Sequence, residues 1–249
     1  METRRHFAMT QKLAGKSLSL VDFPLTNFHH GTVTVGKSEA AATCWPPRRA
    51  VTMAALEFVR DFKNHKIVPD VIPVPPESLL QVTYPGEHRV NLGNILMPKQ
   101  VKDIPVVRWM PPAEPASYYT LCMTDPDAPC RTTPKFREWH HWLVVNIPGN
   151  GDIDRGDVLS EYIGAAPAKK TGLHRYVFLL YQQPNGLLDC DEARLSNRSS
   201  QGRGKFSIQK FSEKYQLSPV PVAGNFFQAQ WSEYVPKLYR QLGQFQNAF

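Results

Sequence analysis

Residues 139–146 read WHHWLVVN, and residues 174–181 read HRYVFLLY. Each stretch begins with polar side chains and continues as an uninterrupted apolar run. A strand with one solvent-facing side alternates apolar and polar residues, whereas an uninterrupted run of this length is typical of a strand buried on both faces. The two stretches therefore predict central strands of a sheet that is covered on both sides.

Weaker patterns surround these two stretches. Short apolar runs at 80–84, 106–109 and 118–124 are bounded by Pro, Gly, Asn and Asp, which is typical of strands between turns. The 22 prolines favour the same reading, because proline lacks the amide that a strand ladder or a helix needs. Helical spacing occurs over 53–65, 208–215 and 231–242, the last interrupted at Pro236. We predict a mainly β fold, a β-sandwich with peripheral and C-terminal helices.

Charge is distributed unevenly along the chain. Residues 1–56 lack sustained periodicity and contain seven of the 29 Lys and Arg but three of the 22 Asp and Glu. We predict a flexible basic extension over 1–56 and a folded domain over 57–249. The domain is close to neutral, which argues against nucleic acid as a partner. Without an apolar run of signal-peptide or membrane-span length, we expect a cytoplasmic protein. A monomer is the simplest expectation for its oligomeric state. The basic start leaves mitochondrial targeting as an alternative.

A turn with two carboxylates, Asp125-Pro126-Asp127, follows the candidate strand 118–124. Its acids either bond local backbone amides in a tight turn or project into a pocket. The next strand begins with His140 and His141, which point to opposite faces, so only one of them can serve a given pocket. Either histidine could instead be a core residue with satisfied ring nitrogens.

The third polar segment is His174-Arg175-Tyr176. His174 and Tyr176 share one face of the strand, where an imidazole and a phenol can both donate hydrogen bonds to a phosphate oxygen. Tyr176 alone would be a packing residue. Carboxylates beside imidazoles suit a zwitterion such as phosphoethanolamine, whose ammonium can meet Asp while its phosphate meets His and Tyr.

These segments also carry a family resemblance. The runs TDPDAP, REWHHWLVVN and GLHRYV closely resemble the phosphatidylethanolamine-binding protein family, which includes the Raf kinase inhibitor protein. Collinear similarity extends from Val68 to Tyr239, about two thirds of the chain. The resemblance implies a two-sheet antiparallel sandwich of Greek-key type with C-terminal helices. It also implies a non-catalytic module, without cofactor or metal, whose small anion pocket holds phosphorylated head groups and which regulates kinase signalling.

The resemblance assigns the pocket residues position by position. They are Asp125, Asp127, Ala128, Pro129, Trp139, His141, Ala166, His174, Tyr176 and Tyr239. Ala166 replaces a glycine whose N–H faces the anion in the family, and a positive φ there would strain an alanine. Partners implied by the resemblance are a phospholipid head group or other phosphate-bearing ligand, and a protein kinase or protease.

Two other functions remain open. One is a protease inhibitor that acts through surface or terminal segments, with residues 1–56 as the candidate element. The other is a metal-dependent hydrolase built on Asp125, Asp127, His141 and His174, since two histidines and two carboxylates suit a catalytic metal. Arg198, Arg203 and Lys205 either belong to an ordinary solvated loop or form a basic rim that attracts acidic partners or the surface of an anionic membrane, as a peripheral contact.

Overall fold

The computed structural model of the chain describes residues 48–110 and 117–243, with side chains described from residue 55 onward. Residues 1–47, the larger part of the predicted extension, lie outside the described residues. Residues 48–56 are the first turns of a helix, so the predicted domain boundary at residue 57 falls inside that helix.

Two antiparallel sheets and a few short helices make up the described chain. The strands are β1 Gln81–Tyr84, β2 His88–Arg89, β3 Val106–Arg108, β4 Tyr118–Asp125, β5 Trp139–Pro148, β6 Asp157–Ser160, β7 His174–Gln183 and β8 Ala223–Ala229. The helices are α1 Arg48–Asn64, α2 Ile67–Asp70, α3 Ile208–Lys214 and α4 Val235–Gln241. No helix in this part of the chain combines the length and apolar character that crossing a bilayer requires.

The sheet order confirms the predicted mainly β fold. One sheet has three strands in the order β2-β1-β3, and the other has five in the order β6-β5-β4-β7-β8. Strands β4, β5 and β6 follow one another, and β7 then returns to lie beside β4. This is a Greek-key arrangement. It brings the end of β4 next to the start of β7, where the polar segments lie.

Two apolar cores cover the five-stranded sheet. Along β7, Tyr176, Phe178 and Leu180 pack into the core between the two sheets. Val177 and Leu179 point the other way, into a second core with α1, α2 and α3. The uninterrupted apolar runs of the sequence thus belong to strands buried on both faces, as predicted.

Strand β8 was not predicted from the sequence, because Gly224 and Asn225 are typical turn residues. Both have a packing role instead. A Cβ at Gly224 would lie 2.5 Å from Cγ of Pro76, so only glycine allows this close approach. The Asn225 amide donates to the carbonyls of Leu80 and Val90 at 2.8 and 3.0 Å and thereby joins β8 to segments of the other sheet.

The C-terminal helix begins later than its spacing predicted. Pro236 does not interrupt it but stands in its first turn. Proline is tolerated there because the amide it lacks would have no intrahelical acceptor.

Candidate functional site

A cavity of about 770 Å³ lies where β4 ends and β5 and β7 begin. Nine of the ten predicted site residues line it: Asp125, Ala128, Pro129, Trp139, His141, Ala166, His174, Tyr176 and Tyr239. The Greek-key order explains this convergence, because the antiparallel β4–β7 and β4–β5 pairs place these strand ends side by side.

Asp125 and His174 form a buried pair in the cavity wall. Nδ1 of His174 lies 2.8 Å from Oδ2 of Asp125, and Oδ1 of Asp125 accepts the backbone N–H of Asp127 at 2.7 Å. Nε2 of His174 lies 2.9 Å from Oγ1 of Thr171, which donates its own proton to the carbonyl of Ala168 at 2.7 Å. Since a hydroxyl has one proton, Nε2 must donate to Thr171. His174 therefore carries a proton on Nε2, and its Nδ1 shares a further proton with Oδ2 of Asp125.

The charge of this pair is balanced within the protein. Burial lowers the pKa of His174, but the hydrogen bond and negative charge of Asp125 outweigh burial, so the net pKa is raised. Burial also raises the pKa of Asp125, but the pair carries no net charge whichever partner holds the shared proton. Because its charge is balanced within the pair, Asp125 offers no net charge to a ligand cation.

Asp127 is the predicted site residue that the structure places outside the cavity lining. Its buried carboxylate is bound by Arg175, with Nε 2.9 Å from Oδ2 and Nη2 2.6 Å from Oδ1. Arg175 follows His174 on β7 and so points to the opposite face of the sheet. Its Nη1 also contacts Oδ2 of Asp70 at 3.0 Å. Asp127 is therefore a structural residue that holds the turn against α2, not a pocket acid.

His141 and Tyr176 supply polar groups beside this pair. Nδ1 of His141 donates to the carbonyl of Ile163 at 2.8 Å, which leaves Nε2 as an acceptor. Burial lowers the pKa of His141 to about 3, so the ring is neutral at pH 7. Within the described residues, the buried Tyr176 hydroxyl has no hydrogen-bond partner of ordinary geometry, although the amide of Ala166 faces it. A buried hydroxyl without a partner thus belongs to a residue that lines the cavity. His140 takes the other face, where its ring stacks on Phe206 at 4.4 Å.

The loop that carries Ala166 accommodates an alanine at this position. Ala166 is absent from the residues with positive φ in the described chain, so its side chain causes no backbone strain. The hydroxyl of Tyr239 donates to the carbonyl of Ala166 at 3.1 Å and ties the loop to α4.

The cavity mouth contains residues that the sequence reasoning missed. They are Phe136, Ala168, Lys169, Ser200, Gly204, Trp231 and Leu242. The Lys169 ammonium lies 4.7 Å from the centre of the Trp231 ring. Lys169 and Lys170 shortly precede His174, so the sequence could have indicated positive charge near the cavity. No local sequence pattern connects Trp231 to the cavity.

The predicted basic rim is only partly present. Lys205 lines the cavity and is exposed, but Arg203 is completely buried. Its guanidinium donates to backbone carbonyls, among them Glu161 at 2.8 Å and Ser196 at 3.0 Å. Arg203 thus holds the loop that forms one cavity wall and does not attract a partner.

The four residues expected for a metal-dependent hydrolase do not come together as one metal site. Asp127 is turned to Arg175, and the described residues contain no group of three His, Cys, Asp or Glu placed to hold a metal ion. The residues that line the cavity supply hydrogen-bonding groups, and Lys169 and Lys205 add positive charge.

Glu138, which precedes Trp139 on the chain, gives the fold a pH dependence. One carboxylate oxygen accepts the N–H of Ile208 at 3.3 Å, and the other has no partner of ordinary geometry among the described residues, although the Thr124 side chain faces the carboxyl group. Burial raises the pKa of Glu138 from 4.5 to about 7. Because the folded-state value is raised, stability falls as the pH rises from about 4.5 to 7. We expect Glu138→Gln to flatten this fall and to raise the free energy of unfolding at pH 8 by about 2–3 kcal/mol.

Urea unfolding at several pH values between 4.5 and 8 measures this effect, with Glu77→Gln as the exposed control. Equal pH slopes in the parent and in Glu138→Gln would show that Glu138 does not titrate in this range.

Comparison with known proteins agrees with this geometry. The family model for phosphatidylethanolamine-binding protein matches residues 86–227. The chain is 41% identical over 183 residues to the putative odorant-binding protein A5 of Drosophila melanogaster, covering 74% of this chain and 85% of the relative.

Two solved structures are similar over most of their length. One is a carboxypeptidase Y inhibitor complexed with its cognate proteinase, with TM-score 0.59 and 28% identity over 71% of this chain and 96% of the inhibitor. The other is the phosphatidylethanolamine-binding protein from Plasmodium vivax, with TM-score 0.54 and 26% identity over 70% and 97%. The chain belongs to the phosphatidylethanolamine-binding protein family.

Proposed function

We propose that this chain is a non-catalytic binding protein whose cavity holds the phosphate group of a small ligand, such as a phospholipid head group. The buried hydroxyl of Tyr176, which has no partner of ordinary geometry in the described chain and belongs to a residue that lines the cavity together with His174, carries the proposal. A buried hydroxyl without a partner costs about 1–3 kcal/mol. A phosphate oxygen would remove this cost by accepting a charge-assisted hydrogen bond.

The charge around the cavity also supports an anionic ligand. Asp125 is neutralised by His174, and Asp127 is outside the lining. Lys169 and Lys205 remain at the mouth and attract a phosphate. The aromatic faces of Trp139 and Trp231 can cover an apolar part of the ligand.

The ammonium of phosphoethanolamine has no free carboxylate to meet. It would remain in solvent or lie over an aromatic ring, where it gains little. The phosphate is therefore the recognised group, and the ammonium does not pair with Asp as the sequence led us to expect. Phosphoethanolamine and glycerol phosphate should bind with affinities within about threefold of each other.

Tyr176→Phe is the direct test, because it removes one hydroxyl and leaves the ring stacked on Phe227. We expect phosphoethanolamine affinity, measured by calorimetry, to fall about tenfold, which corresponds to one charge-assisted hydrogen bond. Tyr181→Phe changes a buried tyrosine in the core on the opposite face of the sheet and should leave affinity unchanged. Equal affinities for both variants and the parent, or no binding of phosphoethanolamine or inorganic phosphate at millimolar concentration, would refute the proposal.

Protein partners are a second part of the proposal. The similarity to a carboxypeptidase inhibitor favours a protease partner, and the resemblance to the Raf kinase inhibitor protein adds a cytoplasmic kinase. Inhibition of a carboxypeptidase that persists when phosphate saturates the cavity would place the protease contact elsewhere on the chain.

A further inference from the structure

A second cavity, of about 540 Å³, shares no lining residue with the phosphate cavity. It lies between β3, at the edge of the three-stranded sheet, and strands β5 and β6 of the five-stranded sheet. Trp142, Val144 and Tyr162 are among its apolar residues. Its size is within the range of about 300–1,000 Å³ that is usual for ligand sites. We call it the edge groove.

The edge groove exposes large apolar side chains. Ile104 is 60% exposed, Val106 is 56% exposed and Val158 is 40% exposed, and all three line the groove. Single exposed apolar residues are ordinary on a protein surface, but a cluster along one cavity marks an interaction site.

The backbone of β3 is available along the same groove. This strand pairs with β1 on one side and is the last strand of its sheet. On its other side, none of the backbone hydrogen bonds found in the described chain involves residues 106–108. A strand edge of this kind is a template for a further strand, and proteins usually protect it when it has no partner.

The charge of the edge groove is opposite to that of the chain. Asp152, Asp154 and Glu161 line it without any Lys or Arg, although the whole chain carries a formal charge of +7. Among the described residues, none of the three carboxylates forms an ion pair within 4.0 Å. Glu161 accepts one hydrogen bond, from the backbone N–H of Asn197 at 2.8 Å.

We propose that the edge groove binds an extended basic segment of a partner protein, which pairs with β3 as an added strand. Strand addition supplies backbone hydrogen bonds, and alternate side chains give specificity. In such a segment, apolar side chains would face the groove and Lys or Arg would face Asp152, Asp154 and Glu161. The site is independent of the phosphate cavity and does not rest on the function proposed for it.

Synthetic peptides test this proposal on the full chain. The probes are the hexapeptide Lys-Val-Lys-Val-Lys-Val, its Glu-Val counterpart, and the basic peptide with methylated backbone nitrogens. Amide chemical shifts of the isotope-labelled protein report where each peptide binds. We expect the basic peptide to shift the amides of Val106, Val107 and Val158, and the acidic and methylated peptides to bind at least tenfold more weakly.

The charge requirement is tested by the double variant Asp152→Asn/Asp154→Asn, which changes two exposed side chains. We expect three- to tenfold weaker binding of the basic peptide, since each rim charge contributes modestly. Asp189→Asn/Glu213→Gln removes two exposed carboxylates elsewhere and should bind the basic peptide as the parent does.

Three results would overturn the proposal. One is no shift at β3 with millimolar basic peptide, and another is equal binding of the acidic peptide. The third is undiminished binding of the methylated peptide, since a groove that merely attracts cations would not need the peptide backbone.

Discussion

Replacing Arg175 with methionine should lower the free energy of unfolding by about 3–5 kcal/mol, although Arg175 does not line the cavity. The variant removes the two close guanidinium contacts of the buried Asp127 carboxylate and leaves it the backbone N–H of residue 175 at 2.9 Å and the more distant guanidinium of Arg137 at 3.8 Å. It also removes the donor to the carbonyls of His65 and Lys66, which Nη1 of Arg175 contacts at 2.9 and 2.8 Å. A domain with about 5–15 kcal/mol of stability would lose a large share of it. Urea unfolding at pH 7 measures the loss.

Two further variants distinguish the buried Asp127–Arg175 pair from an ordinary surface ion pair. Arg89 lies 3.7 Å from Glu87 with both side chains largely exposed, so Arg89→Met should cost less than about 1 kcal/mol. Adding Asp127→Leu to Arg175→Met removes the unpaired charge and should restore part of the stability. A loss in Arg175→Met no larger than that in Arg89→Met would show that the buried pair does not hold the turn.

The buried Asp127–Arg175 pair also predicts a loss of stability in acid. Burial alone would raise the pKa of Asp127, but the hydrogen bonds and charge of Arg175 lower it below its ordinary value. A lowered carboxyl pKa contributes stability above the unfolded-state value and loses it as the pH falls. The contribution of Asp127 is therefore lost below about pH 4, opposite in sign to that of Glu138.

The central strands could be predicted from sequence because one rule decides them. The alternation of Tyr176 and Phe178 with Val177 and Leu179 places apolar side chains on both faces of β7, and such a strand must be covered twice. The convergence of Asp125, His141 and His174 followed from their places at strand ends, together with the family resemblance. Both inferences depend on local pattern.

The direction of Asp127 could not be predicted in the same way. The sequence does not distinguish the two acids of one turn. Their roles differ because Asp125 contacts His174 and Asp127 contacts Arg175, on opposite faces of β7. Arg203 presents the same difficulty. A buried arginine that bonds carbonyls along its own loop resembles a solvated basic residue until the path of the loop is known.

Arg203→Met should therefore disturb the phosphate cavity without touching the ligand. Four of the carbonyls that the Arg203 side chain contacts belong to His140, His141, Glu161 and Ser196 at 2.8 to 3.3 Å. Methionine fills much of the volume but donates nothing. The carbonyls of His141 and Ser196 keep the N–H groups of Ile163 and Ser199, whereas a carbonyl left without a donor costs about 1–3 kcal/mol where water cannot reach it. We expect a loss of stability of about 3 kcal/mol or more.

The cavity wall should loosen in this variant, because Ser200, Gly204 and Lys205 lie on the loop that Arg203 holds. We expect at least tenfold weaker phosphoethanolamine binding by calorimetry and faster hydrogen exchange at amides 196–205. Arg198→Met, at an exposed position of the same loop, should change neither. Parent-like affinity and exchange in Arg203→Met would mean that the loop is held by other contacts. Weaker binding with unchanged exchange would instead mean that Arg203 acts through its charge, whose centre lies 5.6 Å from the Trp139 ring.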